Sequence, residues 1–325
     1  MPTVTAGQGP TTAATAPTPR RARAVARAAA WTAIRGALST APGFVLVNRL
    51  HRMLSPAAKR RFFYLCCDES FRVEGSWIVE FGGRSIVLPL RRDFDLAWIQ
   101  AITFDGFDAE ITELYERLVR SRPAPRVFFD VGANYGLHSL KFLVHGVRVL
   151  SFEPNAACHP FLLECGRRNG VQPDIRPVAV GRTAGVATLA VPDGRTYMGT
   201  TATEVAGRWH GTSDVAVQHV PCIRLDDVTE AEGLLPGLIK IDTEGSELAV
   251  LEGARRTLER ARPLIVVESW PVEAGRTPLF HLLAAHDYRL HALRFGTPPS
   301  PPLSLGEFLA SPATNFLARP LPPGL

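Results

Sequence analysis

The sequence predicts a doubly wound α/β fold, and three observations carry that prediction. The first is residues 126–136, RVFFDVGANYG, where an apolar run passes through Asp130 into a turn holding Gly132, Asn134 and Gly136. The amphipathic segment LHSLKFLVHG follows at once. Strand, glycine turn and helix in that order open a nucleotide-sized site at the carboxyl end of a first parallel strand. The second is a repeated exchange of short apolar runs with helical patterns, which implies right-handed crossovers and a parallel sheet. The third is a set of acids at strand ends: Asp130, Glu153, and Asp242 with Glu244. In such a sheet all carboxyl ends face one crevice.

In chain order, residues 1–19 are Thr, Ala, Pro and Gly without periodicity and read as a disordered tail. Residues 20–61 read as a basic, Arg/Ala-rich helical arm. Residues 62–122 form a small cap. Within it, 71–90 alternates with period two around Gly82-Gly83, a hairpin signature. Residues 94–120 follow with helical spacing. Arg122-Pro123-Ala124-Pro125 breaks the pattern, so the main domain spans 123–320. Its predicted strands are 127–130, 147–153, 175–180, 238–242, 264–269, 288–295 and 315–319, the last ones open to an antiparallel course. Its predicted helices are 137–145, 156–168, 246–260 and 277–286. Strands at 186–191 and 215–224 flank an inserted Gly- and Thr-rich loop, 193–213, on an edge where loops often carry function.

Charge is divided unevenly. Residues 1–67 hold ten of the 36 basic residues and no acid, so the remainder carries 26 basic against 31 acidic residues. A mildly acidic body therefore follows a basic arm. Lysine occurs three times and arginine 33 times, a compositional bias that warns against reading every arginine as functional. Five scattered cysteines match no zinc spacing and no disulfide framework, as expected of reduced thiols in a cytoplasm. The apolar run 42–47 is too short to cross a bilayer. Arg23, Arg27 and Arg35 interrupt what an export signal would keep uncharged.

The strand-end acids narrow the ligand. Glu153 lies 23 residues after Asp130, where a carboxylate can accept from both hydroxyls of a ribose. The turn reads Asp-x-Gly-x-Asn-x-Gly rather than G-x-G-x-x-G, which disfavours a pyrophosphate and suits a cationic sulfonium. The expected cofactor is S-adenosylmethionine. At the fourth strand end, Ile241-Asp242-Thr243-Glu244-Gly245 lacks the Asn/Asp-Pro-Pro-aromatic turn used for amino-group methylation of bases. Pro221-Cys222 sits in an earlier strand and reads as a structural cysteine.

The blocks DVGANYG, FEPN, AVG, LIKIDTEGSELAVLEGA, RPLIVVE and NFLARP together resemble the FkbM family of S-adenosylmethionine-dependent methyltransferases, over about residues 104–320. The resemblance implies a class I (Rossmann-like) methyltransferase fold and O-methylation of a hydroxyl on a small metabolite, natural product or sugar. It implies that Asp130, Gly132, Asn134 and Gly136 line the methionine end of the cofactor. Glu153 would hold the ribose, and Ala179 and Val180 would lie near the adenine. The arm falls outside it.

Methyl transfer to oxygen needs an aligned acceptor and a group to take its proton. Asp242 and Glu244 are the candidates, as base or as ligands of a divalent metal that acidifies the hydroxyl. Lys240, two residues from Asp242, could keep that acid ionised. His138 is an alternative base. Two other readings stand beside these: Asp242 and Glu244 as caps of the helix near Ser246, and His138 as a packing residue. Glu268 is a weaker candidate. The expected partner is a small hydroxylated acceptor. The alternative is a nucleic-acid methyltransferase or binder using the arm, which the acidic body and the lack of interleaved aromatics disfavour.

Overall fold

The computed structural model describes residues 19–94, 96–121, 123–209, 214–271 and 273–322. The expected disordered tail, apart from Pro19, lies outside them. The chain divides into two units, residues 1–50 and 51–325. In the first, α1 (Pro19–Leu38) leads to α2 (Ala41–Arg52). The alanine richness of α1 favours helix intrinsically. The hydroxyls of Ser39 and Thr40 donate to the carbonyls of Arg35 and Ala37, at 2.8 and 3.1 Å, and close its C-terminus. Among the described residues no helix is long and apolar enough to cross a membrane.

The second unit opens with α3 (Pro56–Cys66), capped by Ser55 with Pro56 in its first turn. The hairpin β1 (Gly75–Phe81) and β2 (Arg84–Leu90) follows. Its Gly82 and Gly83 have φ of 59° and 87°, a conformation that side chains disfavour. The single helical stretch expected over 94–120 is two helices, α4 (Ala97–Gly106) and α5 (Ala109–Arg120). They part at extended Phe107 and left-handed Asp108. Lys59 Nζ lies 2.8 Å from Asp105 Oδ2, tying α3 to α4. Residues 51–61, expected in the arm, therefore belong with the cap.

The main domain starts with β3 (Val127–Val131), α6 (Leu137–Leu143), β4 (Arg148–Phe152), α7 (His159–Asn169) and β5 (Asp174–Arg176). The expected strand 175–180 is not continuous. Pro177, which has no N–H to donate, separates β5 from β6 (Ala179–Val180), and the two lie in different sheets. Next come β7 (Gly185–Pro192), α8 (Thr203–Trp209) and β8 (Val215–Ile223). The loop expected irregular over 193–213 thus contains a helix, and 210–213 lie outside the described residues. The order β6-β8-β7 makes a small three-stranded sheet.

The chain then returns through α9 (Leu225–Glu232), β9 (Leu238–Ile241), α10 (Glu247–Glu252), α11 (Arg255–Ala261) and β10 (Leu264–Glu268). It ends with α12 (Glu273–Ala285), β11 (Tyr288–Ala292), α13 (Leu305–Ala310) and β12 (Asn315–Pro320). The helix expected over 246–260 breaks at Gly253, where a Cβ would lie 2.0 Å from the carbonyl oxygen of Gly181.

The main sheet has seven strands in the order β11-β12-β10-β9-β3-β4-β5. β10, β9, β3, β4 and β5 pair in parallel, and β12 runs antiparallel to β10 and β11. Helices cover a core in which Phe129, Val131, Phe152, Ile239, Ile241 and Val267 are at most 1% exposed. Each such side chain contributes about 1.5–3 kcal/mol on burial. Strand order reverses between β3 and β9, so a crevice opens beyond their carboxyl ends. Arg276, fully buried, clamps the far side. Its guanidinium donates to the carbonyls of Ser269, Trp270, Phe308, Ser311 and Ala313 at 2.6–3.1 Å. It lies 5.0 Å from the ring centroids of both Phe308 and Phe316.

Candidate functional site

The crevice holds a recess that opens beyond the ends of β3, β4 and β9. One wall comes from the turns after β3 and β4. Gly132 and Ala133 donate to the carbonyl of Phe152 at 3.0 Å, which draws the glycine turn against the end of β4. Glu153, 8% exposed, lines the recess. One of its carboxylate oxygens accepts from the Asn134 N–H and the other from the Asn155 N–H, both at 2.7 Å. Burial pushes this carboxyl up to about 7 despite those bonds. Val178, Ala179 and Val180 continue the wall.

The insertion supplies another side. Thr196, Gly199 and Thr201 line the recess. The Thr196 hydroxyl shares a 2.5 Å hydrogen bond with Tyr135 Oη, and its carbonyl accepts from Asn155 Nδ2 at 2.9 Å. Thr200 Oγ1 donates to the Glu244 carbonyl at 2.8 Å, and the hydroxyls of Thr201 and Ser246 meet at 2.8 Å. These contacts bind the segment between β7 and α8 to both strand-end turns.

The opposite wall is acidic. Asp242, Thr243 and Glu244 leave the end of β9 into the recess. Lys240 Nζ donates to Asp242 Oδ2 at 3.0 Å. Burial alone would lower the Lys240 ammonium, but Asp242 and Asp130 overcome it and hold it well above its ordinary range. Carboxylate oxygens of Asp242, Glu244 and Glu268 lie within 4.8 Å of one another. Burial, then Asp242, pushes Glu244 up to about 7. Burial, then the neighbouring Asp242 and Glu244, pushes Glu268 higher still, because crowded carboxyls resist carrying their full charge together.

The helix after β9 has no side-chain cap at Ser246. Glu247 instead ties down the turn before it, its Oε1 accepting from Thr243 N, Thr243 Oγ1 and Gly245 N, each at 3.0 Å. Asp242 and Glu244 make no such cap and face the recess. Glu247 carried a readable signal, an acid in the first turn of a helix.

Of the residues singled out in the sequence, Gly132, Asn134, Glu153, Ala179, Val180, Asp242 and Glu244 line the recess together. Asp130, Gly136, Lys240 and His138 do not. Asp130 is fully buried, with Oδ2 accepting from Ser139 Oγ at 2.6 Å, and it pairs across the sheet with Lys240. Gly136 begins α6, and a Cβ there would strike Leu162. His138 packs edge-on against Tyr115, with Nε2 3.8 Å from Asp108 Oδ2. Burial lowers its imidazole well below the ordinary range, so it is neutral. Gly132 also has a different reason from the expected one. At φ 74° its missing Cβ makes room for the Asp242 carbonyl, which would otherwise lie 1.8 Å away.

Asp108, from the α4–α5 break, was not anticipated. It accepts from Asn315 Nδ2 at 3.3 Å, and that same nitrogen donates to Glu110 at 2.9 Å. Burial, then Asp242, pushes Asp108 up to about 7. The cap thus brings Asp108 and Glu110 together on Asn315 of β12. No sequence signal joins Asp108 to residues more than a hundred positions away.

The methyltransferase FkbM domain matches residues 130–290. Among solved structures, the chain is similar to a methyltransferase FkbM from Methylobacillus flagellatus KT, at 18% identity over 71% of this chain, with a TM-score of 0.40. It spans 56% of the length of that protein. It is also similar to a SAM-dependent methyltransferase from Agrobacterium tumefaciens, at 12% identity over 77% of this chain and 71% of that one, TM-score 0.42. An O-methyltransferase from Bacillus cereus in complex with SAH shows 14% identity over 60% of this chain and 73% of that one, TM-score 0.32. A search among curated proteins gives no match.

Proposed function

We propose that this chain, whose residues 130–290 match the methyltransferase FkbM domain, methylates a hydroxyl of a small acceptor using S-adenosylmethionine. The observation that carries the reading is the contrast of the two walls: a backbone-ordered recess around Glu153, and beside it an acid, Asp242, held by Lys240 at 3.0 Å.

The first wall fits the cofactor. Among the described residues Glu153, buried at the recess, forms no salt bridge, and each of its oxygens keeps a lone pair after accepting one backbone N–H. Such a carboxylate suits a vicinal diol. Ala179 and Val180 offer an apolar strip for an adenine. Gly132 and Asn134 are assigned to the methionine end. Asp130 and Gly136 support that turn from behind.

When bound, the cofactor supplies an electrophilic methyl on a sulfonium. The chain's own residues supply the rest. With Glu153, Gly132 and Asn134 holding the cofactor, Asp242 would accept the proton of the acceptor hydroxyl. Lys240 holds Asp242 in place through its 3.0 Å hydrogen bond. Glu268, within 4.8 Å of Asp242 and Glu244, helps to orient the acceptor beside them. Glu244 closes the side of the site. His138, packed on Tyr115 outside the recess, takes the packing role instead of a base's. The segment 196–201 shields the recess from water, where hydrogen bonds and charges act more strongly.

A second reading is favoured by the separation of the three carboxylates. Oxygens of Asp242, Glu244 and Glu268 within 4.8 Å of one another can hold a divalent cation that acidifies the acceptor. EDTA distinguishes the two: loss of turnover restored by a divalent ion supports the metal, and unchanged turnover supports the base.

The test of the cofactor is binding of S-adenosylmethionine to the wild type and to Glu153→Ala. A Kd raised about tenfold, or 1.4 kcal/mol, supports the ribose role, and an unchanged Kd overturns it. A mass gain of one methyl group on hydroxylated candidates, with none on their deoxy analogues, supports O-methylation. Transfer to nucleic acid instead would replace it.

A further inference from the structure

Helix α2 presents an apolar row to solvent. Val45 is 65% exposed, Leu46 56% and Leu50 53%. At about 100° per residue these three and the exposed Arg49 fall within an arc of about 140°, one side of the helix. Single exposed apolar residues are ordinary. Three on one face of a 12-residue helix, with an arginine among them, form a continuous patch. The charge around it has one sign. Residues 1–50 hold six arginines and no Lys, Asp or Glu, and the first acid of the chain is Asp68. Arg27 and Arg35 are exposed on α1.

An occupant must take both features. A nucleic acid would meet the arginines but leave the aliphatic row in water. Water hydrates the arginines but gains nothing from the aliphatic row. The boundary between headgroups and acyl chains of an anionic bilayer takes aliphatic side chains, while its phosphates attract nearby cations. Neither α1 nor α2 can span a bilayer, so the fitting arrangement is a helix lying in the interface plane.

We propose that residues 1–50 seat the protein on an anionic lipid surface, with Val45, Leu46 and Leu50 entering the headgroup boundary and the arginines meeting lipid phosphates. This inference does not rest on the methyl-transfer reading, because no residue of the crevice takes part in it.

Flotation of the full chain with vesicles tests it. The probes are phosphatidylcholine alone, an equimolar mixture with phosphatidylglycerol, and polyuridylate as a competing polyanion. Binding to the mixed vesicles is expected to be about tenfold or more stronger than to phosphatidylcholine alone, and to fall steeply as salt rises. Val45→Asp/Leu50→Asp is expected to lose about tenfold in binding, since an acid enters the apolar row. Arg27→Gln/Arg35→Gln/Arg49→Gln keeps that row and serves if the first variant loses helix by circular dichroism. It too is expected to bind more weakly. Equal binding to both vesicle types, no binding to either, full retention by the arginine variant, or tighter binding to polyuridylate than to the mixed vesicles overturns the proposal.

Discussion

The two walls of the crevice are both built on carboxylates, yet they are organised by opposite means. Beside β4, Glu153 is held by two backbone N–H groups from turns that the fold itself fixes. Beside β9, Asp242, Glu244 and Glu268 crowd together, and Lys240 is the cation that donates to the group, through Asp242. The first arrangement fixes a geometry with little dependence on side-chain charge. The second crowds acids together, with Glu244 and Glu268 both raised by burial and by their neighbours. On the proposed reading, binding belongs to the first and proton transfer to the second.

The comparison breaks most sharply at Asp242. Asp242→Asn is expected to lower turnover about 10³-fold, the range of a lost general base. The Kd of S-adenosylmethionine should shift by less than about threefold, well under 1 kcal/mol. Rapid-quench turnover with parallel calorimetry checks this, and a loss under tenfold would sink the base assignment.

Next in size is Gly132, which belongs to both walls. Gly132→Ala meets positive φ and the Asp242 carbonyl together, and backbone strain alone costs about 1–3 kcal/mol. Urea unfolding should show that loss, and affinity and turnover should both fall. A variant as stable as the wild type would mean that the β3 and β9 turns can separate.

A smaller effect sharpens the difference in protonation. Glu153 is raised from 4.5 to about 7, so the folded state holds a proton there that the unfolded state releases above pH 4.5. The contribution of this group to stability is therefore full below 4.5 and is lost as pH rises towards 7. The slope is at most about 1.4 kcal/mol per pH unit for one proton. Thermal unfolding from pH 5 to 8 should fall less steeply in Glu153→Gln than in the wild type. Identical slopes would reject the raised carboxyl. Smallest of all, deletion of residues 1–50 should leave turnover on a soluble acceptor within about twofold, since catalysis resides in the other unit.

Much of the sheet was legible because buried strands leave short apolar runs and strand ends leave polar residues. Lys240 and Asp242, two residues apart on one strand, could be paired from spacing alone, and the structure joins them. The partner on the other side, Asp130, could not be read, because strand order is not written in local sequence. Some misses had signals. Pro177 marks the division of β5 from β6. Ser304 and Glu307 form a capping box that announces α13, a helix not expected. Gly253 marks the break between α10 and α11. Others had none: α9 is eight residues long, too short for a clear period, and Asp108 meets Asn315 only through packing of the cap.

The position of β12 has a consequence for how the protein is made. It is translated after β10 and β11, yet it lies between them in the sheet. Until it arrives, the nascent chain exposes two unpaired strand edges, and their apolar faces cannot be sealed. Sheet closure is thus a late, non-local step, of the kind that slows folding and invites aggregation. A premature stop before Asn315 would leave a protein with most of its crevice residues encoded and its sheet split in two.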